Sequence, residues 1–254
     1  MRQAMHDTWL LFARSLKHTF RSPEILVGIT VSPIMFVLLF RYVFGGAIVI
    51  PGLDYVDFLM PGIFVQTIAF GALTTAISLA YDFEKGIVER FFTLPMSRSA
   101  IITGRTFADV LRTVFTIIVM VIVGVLVGYT PSGSAGDWLL AGAIMLLFCF
   151  AISWLGAIMA LLVPNVEALQ QISFIVILPL TFLSSAFVQP ATMPDGLKQF
   201  AEHQPVSIVV DAVRALTNGI DPGNSVKLAI IWCVGILVVS MPIASLMFRR
   251  LGSR

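Results

Sequence analysis

Residues 138–162 read WLLAGAIMLLFCFAISWLGAIMALL, 25 consecutive positions without a charged side chain. A helix of that length rises about 38 Å, enough to cross the roughly 30 Å hydrocarbon core of a bilayer. The rest of the chain has the same character. Of its 254 residues, 58% are apolar and only 12% charged, and the mean hydropathy is +0.96. A soluble domain carries about 25% charge, so too few polar groups are present here to coat a water-exposed surface. Cys149 and Cys233 both fall inside apolar stretches, which suggests neither a disulfide framework nor a thiolate metal site. The first long apolar segment begins at Ile25 with no small-residue cleavage pattern after it, so no removable signal peptide is read.

The hydropathy pattern predicts an all-α polytopic membrane protein whose residues 1–254 form a single membrane domain. Six transmembrane helices are placed at 25–44, 58–80, 108–128, 138–162, 169–188 and 226–247. Three connections are short. The other two, 81–107 and 189–225, are long enough to carry elements of their own. Arg2, Arg14, Lys17, Arg21, Lys85, Arg90, Arg98, Arg105, Arg112, Arg249, Arg250 and Arg254 fall on one side of this arrangement. Lys198, Arg214 and Lys227 fall on the other, with Arg41 near the far end of the first helix. The positive-inside bias therefore predicts cytoplasmic termini and a cytoplasmic 81–107 loop, and makes 189–225 the outer loop. Between the fourth and fifth spans, Pro164-Asn165 reads as a tight turn in preference to a re-entrant element.

Outside the spans, Met5, Trp9, Phe12, Ala13, Leu16 and Phe20 recur at helical spacing, with Arg14, Lys17 and His18 on other faces. This predicts an interfacial helix within 1–22. Ser22-Pro23-Glu24 supplies a cap, a proline for the first turn and an early carboxylate, and so starts a new helix. In the 81–107 loop, Ile87, Val88, Phe91, Phe92 and Leu94 form an apolar face opposite Glu84, Lys85, Glu89 and Arg90. Pro95 ends that helix, and Ser97 or Ser99 can cap a second one running towards Arg105. Amphipathicity alone fits either an interfacial helix facing lipid or one that transmits a push from a cytosolic partner. In the outer loop, Pro205 opens a helix with Val206, Val209, Val210, Val213, Leu216 and Ile220 on its apolar side and Asp211 and Arg214 within one turn; Asn218-Gly219 closes it. It is expected to lie at or dip into the outer leaflet, either capping a translocation route or closing the bundle on that side.

Several chemistries are excluded by missing residues. No lysine follows a glycine, so the phosphate loop GxxxxGK[ST] does not occur and the chain has no recognisable means of hydrolysing ATP. His6, His18 and His203 lack HExxH spacing, no metal site is expected, and the spans offer no histidine or lysine as the base for an intramembrane serine. The dispersed basic residues suit anionic lipid and give no sign of nucleic-acid binding. An ion-coupled carrier needs ionisable groups at mid-depth, whereas Asp109, Arg112 and Glu167 are placed near span ends. Uncharged polar groups do occur inside the spans beside aromatic ones. Gln66, Thr67, Thr74, Trp154 and Phe174 are the candidate lining of a path for a large amphipathic molecule. Their competing role is ordinary helix packing. Gly124 and Gly128 mark close helix approach without saying whether the neighbour is in the same chain.

The loop sequence Glu84-Lys85-Gly86-Ile87-Val88-Glu89-Arg90-Phe91-Phe92-Thr93-Leu94-Pro95-Met96-Ser97-Arg98 resembles the E-x-G-x-x-E-x-x-x-x-x-P-x-S/T-R pattern of type 2 ABC transporter permeases, the group that includes the daunorubicin-resistance permeases. Nearly the whole chain takes part in the resemblance. It includes the N-terminal interfacial helix, Pro33 in span one, Phe58-Leu59-Met60-Pro61-Gly62 entering span two and the long outer connection. Phe91-Phe92 replaces leucines common in the family and keeps the surface apolar. The resemblance implies that Glu84, Gly86, Glu89, Arg90, Phe91, Phe92 and Pro95 form a cytoplasmic coupling helix between helices two and three. A separate cytosolic ABC ATPase subunit would dock there and carry ATP and Mg. It further implies a second permease copy or close paralogue, surrounding membrane lipids, a bacterial plasma membrane and outward movement of hydrophobic drugs or lipids. A lipid-linked glycan is the alternative cargo, and an ion-coupled carrier or membrane scaffold the alternative class.

Overall fold

The computed structural model describes residues 9, 10, 12, 13, 17, 21, 23–45, 50, 52–87, 98–163 and 165–251. Most of the expected interfacial helix therefore lies outside the described residues, as do Glu89, Arg90, Phe91, Phe92 and Pro95 of the expected coupling helix. Among the described residues the regular structure is helical: α1 (Pro23–Leu39) running into a π-helical turn (Phe40–Phe44), α2 (Tyr55–Glu84), α3 (Arg98–Leu126), α4 (Ala135–Leu162), α5 (Val166–Phe182), α6 (Asp195–His203), α7 (Pro205–Thr217) and α8 (Ser225–Leu251), with a short 3-10 turn at Pro190–Thr192.

Four of these helices contain stretches long and apolar enough to cross a membrane: Tyr55–Glu84, Thr103–Leu126, Ala135–Leu162 and Ser225–Phe248. Two shorter apolar stretches, Thr30–Val43 and Val166–Phe182, stand where the first and fifth spans were expected. This is an all-helical, multi-span membrane protein. Boundaries differ where hydropathy and helix length part company. α2 continues past the apolar stretch through Asp82 to Glu84, and Gly86, with φ +64, takes the left-handed conformation that lets the chain turn away. The second loop helix expected to run towards Arg105 is instead the first part of α3, which begins at Arg98 and continues without a break into the apolar stretch. α5 stops at Phe182, three residues after Pro179, and the chain turns through 183–187 where the sequence reading continued a span.

The ends of the helices show how they run. Thr130, just after α3, gives its backbone N–H to Asp57 in the first turn of α2 (2.8 Å) and its hydroxyl to the other carboxylate oxygen (3.0 Å), so α2 and α3 are antiparallel neighbours. α4 starts at this same end. Ser134 caps it, accepting from the Asp137 N–H at 3.2 Å while Asp137 accepts in return. At the opposite end, Asn165 caps α5 by accepting from the N–H groups of Glu167 (2.8 Å) and Ala168 (3.3 Å), the short turn expected of this position. Phe83 meets Phe248, so α8 finishes beside the end of α2.

Burial is divided along the bundle axis. One large apolar core at the Tyr55 end joins α2, α3, α4 and α7 through Leu59, Ile63, Met120, Phe148, Val209 and Val213. A smaller core at the Glu84 end holds Leu79, Trp154, Leu169 and Phe248. Two glycines of α2 and α3 stand at close approaches. A Cβ on Gly62 would lie 2.3 Å from the Ala186 carbonyl oxygen, so only glycine lets the turn after α5 rest on α2. A Cβ on Gly124 would lie 2.6 Å from the Met60 methyl group, which places the close neighbour of this glycine in the same chain.

The helix after Pro205 forms as read and ends before Gly219, whose φ is +62. Val206, Val209, Val210, Val213 and Leu216 are all buried against α2, α4 and α8, so α7 packs over one end of the bundle. Ile220 falls beyond the helix and is exposed. Arg214 is the hub of this closure: its Nε donates to the Phe58 carbonyl (3.0 Å), its Nη2 to the Ser185 carbonyl (2.6 Å) and its Nη1 to Asp211 (3.0 Å), with the guanidinium carbon 3.8 Å from the centre of the Phe58 ring. Burial pulls its pKa down to about 10 against the opposing pull of Asp211, so it remains charged at neutral pH.

Candidate functional site

Between α1, α2, α3 and α5 lies a cavity of about 590 Å³. Each helix contributes one face. Gln66, Thr67, Phe70 and Thr74 come from α2, and Phe174, Leu178 and Phe182, spaced four apart, from α5. Ser32, Pro33 and Phe36 come from α1, and Arg112, Thr113, Thr116, Ile117 and Met120 from α3. The wall is thus largely apolar and aromatic, with a few polar groups at fixed places, the composition of a site for an amphipathic molecule. Phe70 and Phe174 meet edge to face with centroids 5.8 Å apart, joining the α2 and α5 walls.

Gln66, Thr67, Thr74 and Phe174, named from the sequence as candidate lining, all stand on this cavity. Trp154 does not. It is buried in the smaller core, edge-on to Phe150 at 6.3 Å. The α3 wall was not named from the sequence, where Arg112 read as one more basic residue near a span end. Its signal was present: Arg112, Thr113 and Thr116 are polar at helical spacing inside an otherwise apolar stretch. Asp109 and Arg112 stand at the start of the apolar run of α3, near the end of the span as the sequence reading places them. They pair with each other at 2.9 Å, and Asp109 also accepts from the Thr75 hydroxyl. These contacts hold the charges of the pair against each other and leave further guanidinium donors of Arg112 unused.

The start of the loop motif is attached to the cavity walls. Asp82, near the end of α2, forms an ion pair with Arg105 of α3. Glu84 is exposed, and its Oε1 accepts from the backbone N–H of Val166, the first residue of α5, at 3.4 Å. A carboxylate at that place also complements the positive end of the helix. Glu84 therefore touches the helix that carries Phe174, Leu178 and Phe182 into the cavity, and Gly86 sets the turn that leads out of α2. Among the described residues, no three His, Cys, Asp or Glu side chains come together as a metal site.

Comparison with known proteins settles the family. The sequence pattern described as "ABC-2 type transporter" matches residues 6–217. The chain belongs to the ABC-2 type transporter family. It is 32% identical over 228 residues to the daunorubicin resistance ABC transporter permease protein DrrB1 of Streptomyces coeruleorubidus, an alignment covering 90% of this chain and 81% of that protein. It is 27% identical over 257 positions to the probable doxorubicin resistance ABC transporter permease protein DrrC of Mycobacterium tuberculosis, covering 96% and 88% respectively. The putative transport permease ycf38 of Porphyra purpurea is 29% identical over 216 residues, with 83% and 74% covered. Membership makes this ABC-2 chain a permease subunit of a transporter and not an enzyme.

Proposed function

We propose that this ABC-2 permease is the membrane subunit of an ATP-driven exporter, moving hydrophobic or amphipathic molecules outward through a path that includes the α1–α2–α3–α5 cavity. The observation that carries the reading is the bond from Glu84 to the first turn of α5, because it joins the family's loop motif to a wall of the cavity. ATP and Mg belong to a separate cytosolic ATPase subunit. Closure of that subunit would press on the coupling region, which runs from Glu84 at the end of α2 through the Gly86 turn to Glu89, Arg90, Phe91, Phe92 and Pro95. The displacement would pass to α5 through Glu84 and to α3 through Asp82–Arg105.

In this reading α1 and α5 also span, giving six crossings within a single domain over 1–254, and the Glu84 end faces the cytoplasm. Eleven basic residues in the terminal segments and the 81–107 region, with Arg112 just beyond it, support that orientation. A second permease copy or a paralogue completes the route, since one bundle of this size gives a large cargo little shielding from lipid. A bacterial plasma membrane suits the resistance permeases of Streptomyces and Mycobacterium among the relatives.

The test is Glu89→Ala in proteoliposomes holding permease and ATPase. At equal membrane abundance, cargo exported per ATP hydrolysed is expected to fall about tenfold, a coupling loss in the ordinary range for linked sites. Arg90→Ala serves as the control, because its charge can act through anionic lipid alone. Unchanged export by Glu89→Ala would remove that carboxylate from the coupling surface.

A further inference from the structure

The cavity is donor-rich and has one charged group. Among its described lining residues none is acidic, and the charge is that of Arg112. The Arg112 side chain is 12% exposed, and one of its nitrogens is occupied by Asp109, which does not line the cavity. A guanidinium has five N–H donors, so others remain for whatever fills the space. The hydroxyls beside it are already engaged: Thr113 pairs with the Cys149 sulfur at 3.1 Å, Thr116 donates to the Arg112 carbonyl at 3.1 Å and Thr67 to the Met120 sulfur at 3.6 Å. On the α2 wall, Gln66 is only 2% exposed and its Nε2 has no partner. A buried amide donor left unpaired is costly, and a turn of the Gln66 side chain towards the cavity would bring it to an acceptor on a bound molecule.

The two donors stand at opposite ends of the space. Thr67 meets Met120, and Thr75 meets Asp109, so the antiparallel helices put Gln66 at the Met120 level and Arg112 at the Thr75 level. Eight residues of helix separate those levels, about 12 Å. Phe36, Phe64, Phe174 and Phe182 line the apolar wall of the same space.

We infer that the cavity is selective for amphiphiles with an anionic head, bound by Arg112, and an apolar or aromatic body lying along the phenylalanines towards Gln66. The inference rests on the exporter reading for its meaning as cargo selection. Its chemistry is separate, because a cationic amphiphile would meet a guanidinium and no lining carboxylate. Asp109 holds the guanidinium in place and moderates its charge, as a positioning residue.

Three probes with one body and different heads test this: pyrenebutyrate, pyrenebutanol and pyrenebutyltrimethylammonium. Each is titrated against the full chain in phosphatidylcholine nanodiscs, with energy transfer from the protein's tryptophans as the readout and empty nanodiscs as the partition control. The carboxylate is expected to bind about tenfold more tightly than the alcohol, in keeping with a charge-assisted hydrogen bond, and the ammonium most weakly. Arg112→Gln should abolish the preference for the carboxylate over the alcohol. Asp109→Asn should strengthen carboxylate binding, a direction that mere loss of a structural ion pair would not produce. If Arg112→Gln fails to fold, the head-group ranking and Asp109→Asn still decide. Equal binding of all three probes, or preference for the ammonium, overturns the anion selectivity and leaves the cavity reading standing. Absence of binding by every probe overturns both. Nanodiscs containing phosphatidylglycerol separate the sources. Competition with pyrenebutyrate supports a lipid as the anionic amphiphile, and absence of competition supports a non-lipid cargo.

Discussion

Replacing Arg214 with alanine is expected to reduce the stability of the folded bundle by about 3–5 kcal/mol, the cost of removing one partner from a buried, hydrogen-bonded charge cluster. The side chain links three parts of the chain at once: Phe58 in α2, Ser185 in the turn after α5, and Asp211 in its own helix. Alanine would leave the carbonyls of Phe58 and Ser185 without this donor and uncover the face of the Phe58 ring. Arg214→Lys should recover less than half of the loss, because a single ammonium cannot reproduce the fork that reaches separate acceptors. Denaturant titration in mixed micelles provides the check. A loss below about 1 kcal/mol for Arg214→Ala would mean that the buried valines of α7 and its other hydrogen bonds, such as Ser185 with Ser207, suffice to hold it.

Replacing Glu84 with alanine is expected to have the opposite profile. The side chain is exposed and its bond to the Val166 N–H is long at 3.4 Å, so stability should change by only about 0.3–1 kcal/mol, the ordinary effect of an anion at a helix start. Transport should suffer far more. If the bond carries displacement from the loop to α5, Glu84→Ala should continue to hydrolyse ATP with its partner while exporting about tenfold less cargo per turnover. Glu84→Gln keeps an acceptor for the Val166 N–H but loses the charge, and should fall between the two. Parallel measurement of ATPase rate and export in proteoliposomes distinguishes these results, and export per ATP equal to that of the unaltered protein would sever the proposed link between motif and cavity.

The apolar runs made the membrane class legible because the hydrocarbon core imposes a minimum length that few soluble helices meet. Helix ends were less legible, since hydropathy marks where lipid contact stops and not where backbone hydrogen bonding stops. α2 continues to Glu84 and α3 begins at Arg98, so charged residues such as Asp82 and Arg105 belong to the same helices as the apolar stretches. The pairings of Asp109 with Arg112 and of Asp211 with Arg214 followed from their i, i+3 spacing. Their surroundings did not. Spacing says nothing about a carbonyl 156 positions away, as the Phe58 partner of Arg214 is. Gln66, Thr67, Thr74 and Phe174 could be picked out as polar or aromatic residues in lipid-depth segments. The same criterion also selected Trp154, whose large side chain is absorbed by core packing. Gly62 shows the limit most clearly: its necessity comes from the Ala186 carbonyl, a long-range contact without a local signature.

Co-purification of the tagged, full-length protein from its native membrane in mild detergent, followed by mass spectrometric identification of stoichiometric partners and an ATPase assay of the eluate, tests the central claim most directly. An ATP-driven permease should bring down a cytosolic ATPase at about one copy per permease, with hydrolysis in the eluate. Recovery of the folded chain from intact membranes with no ATPase subunit and no hydrolysis would contradict the account and favour a carrier or scaffold that needs no nucleotide.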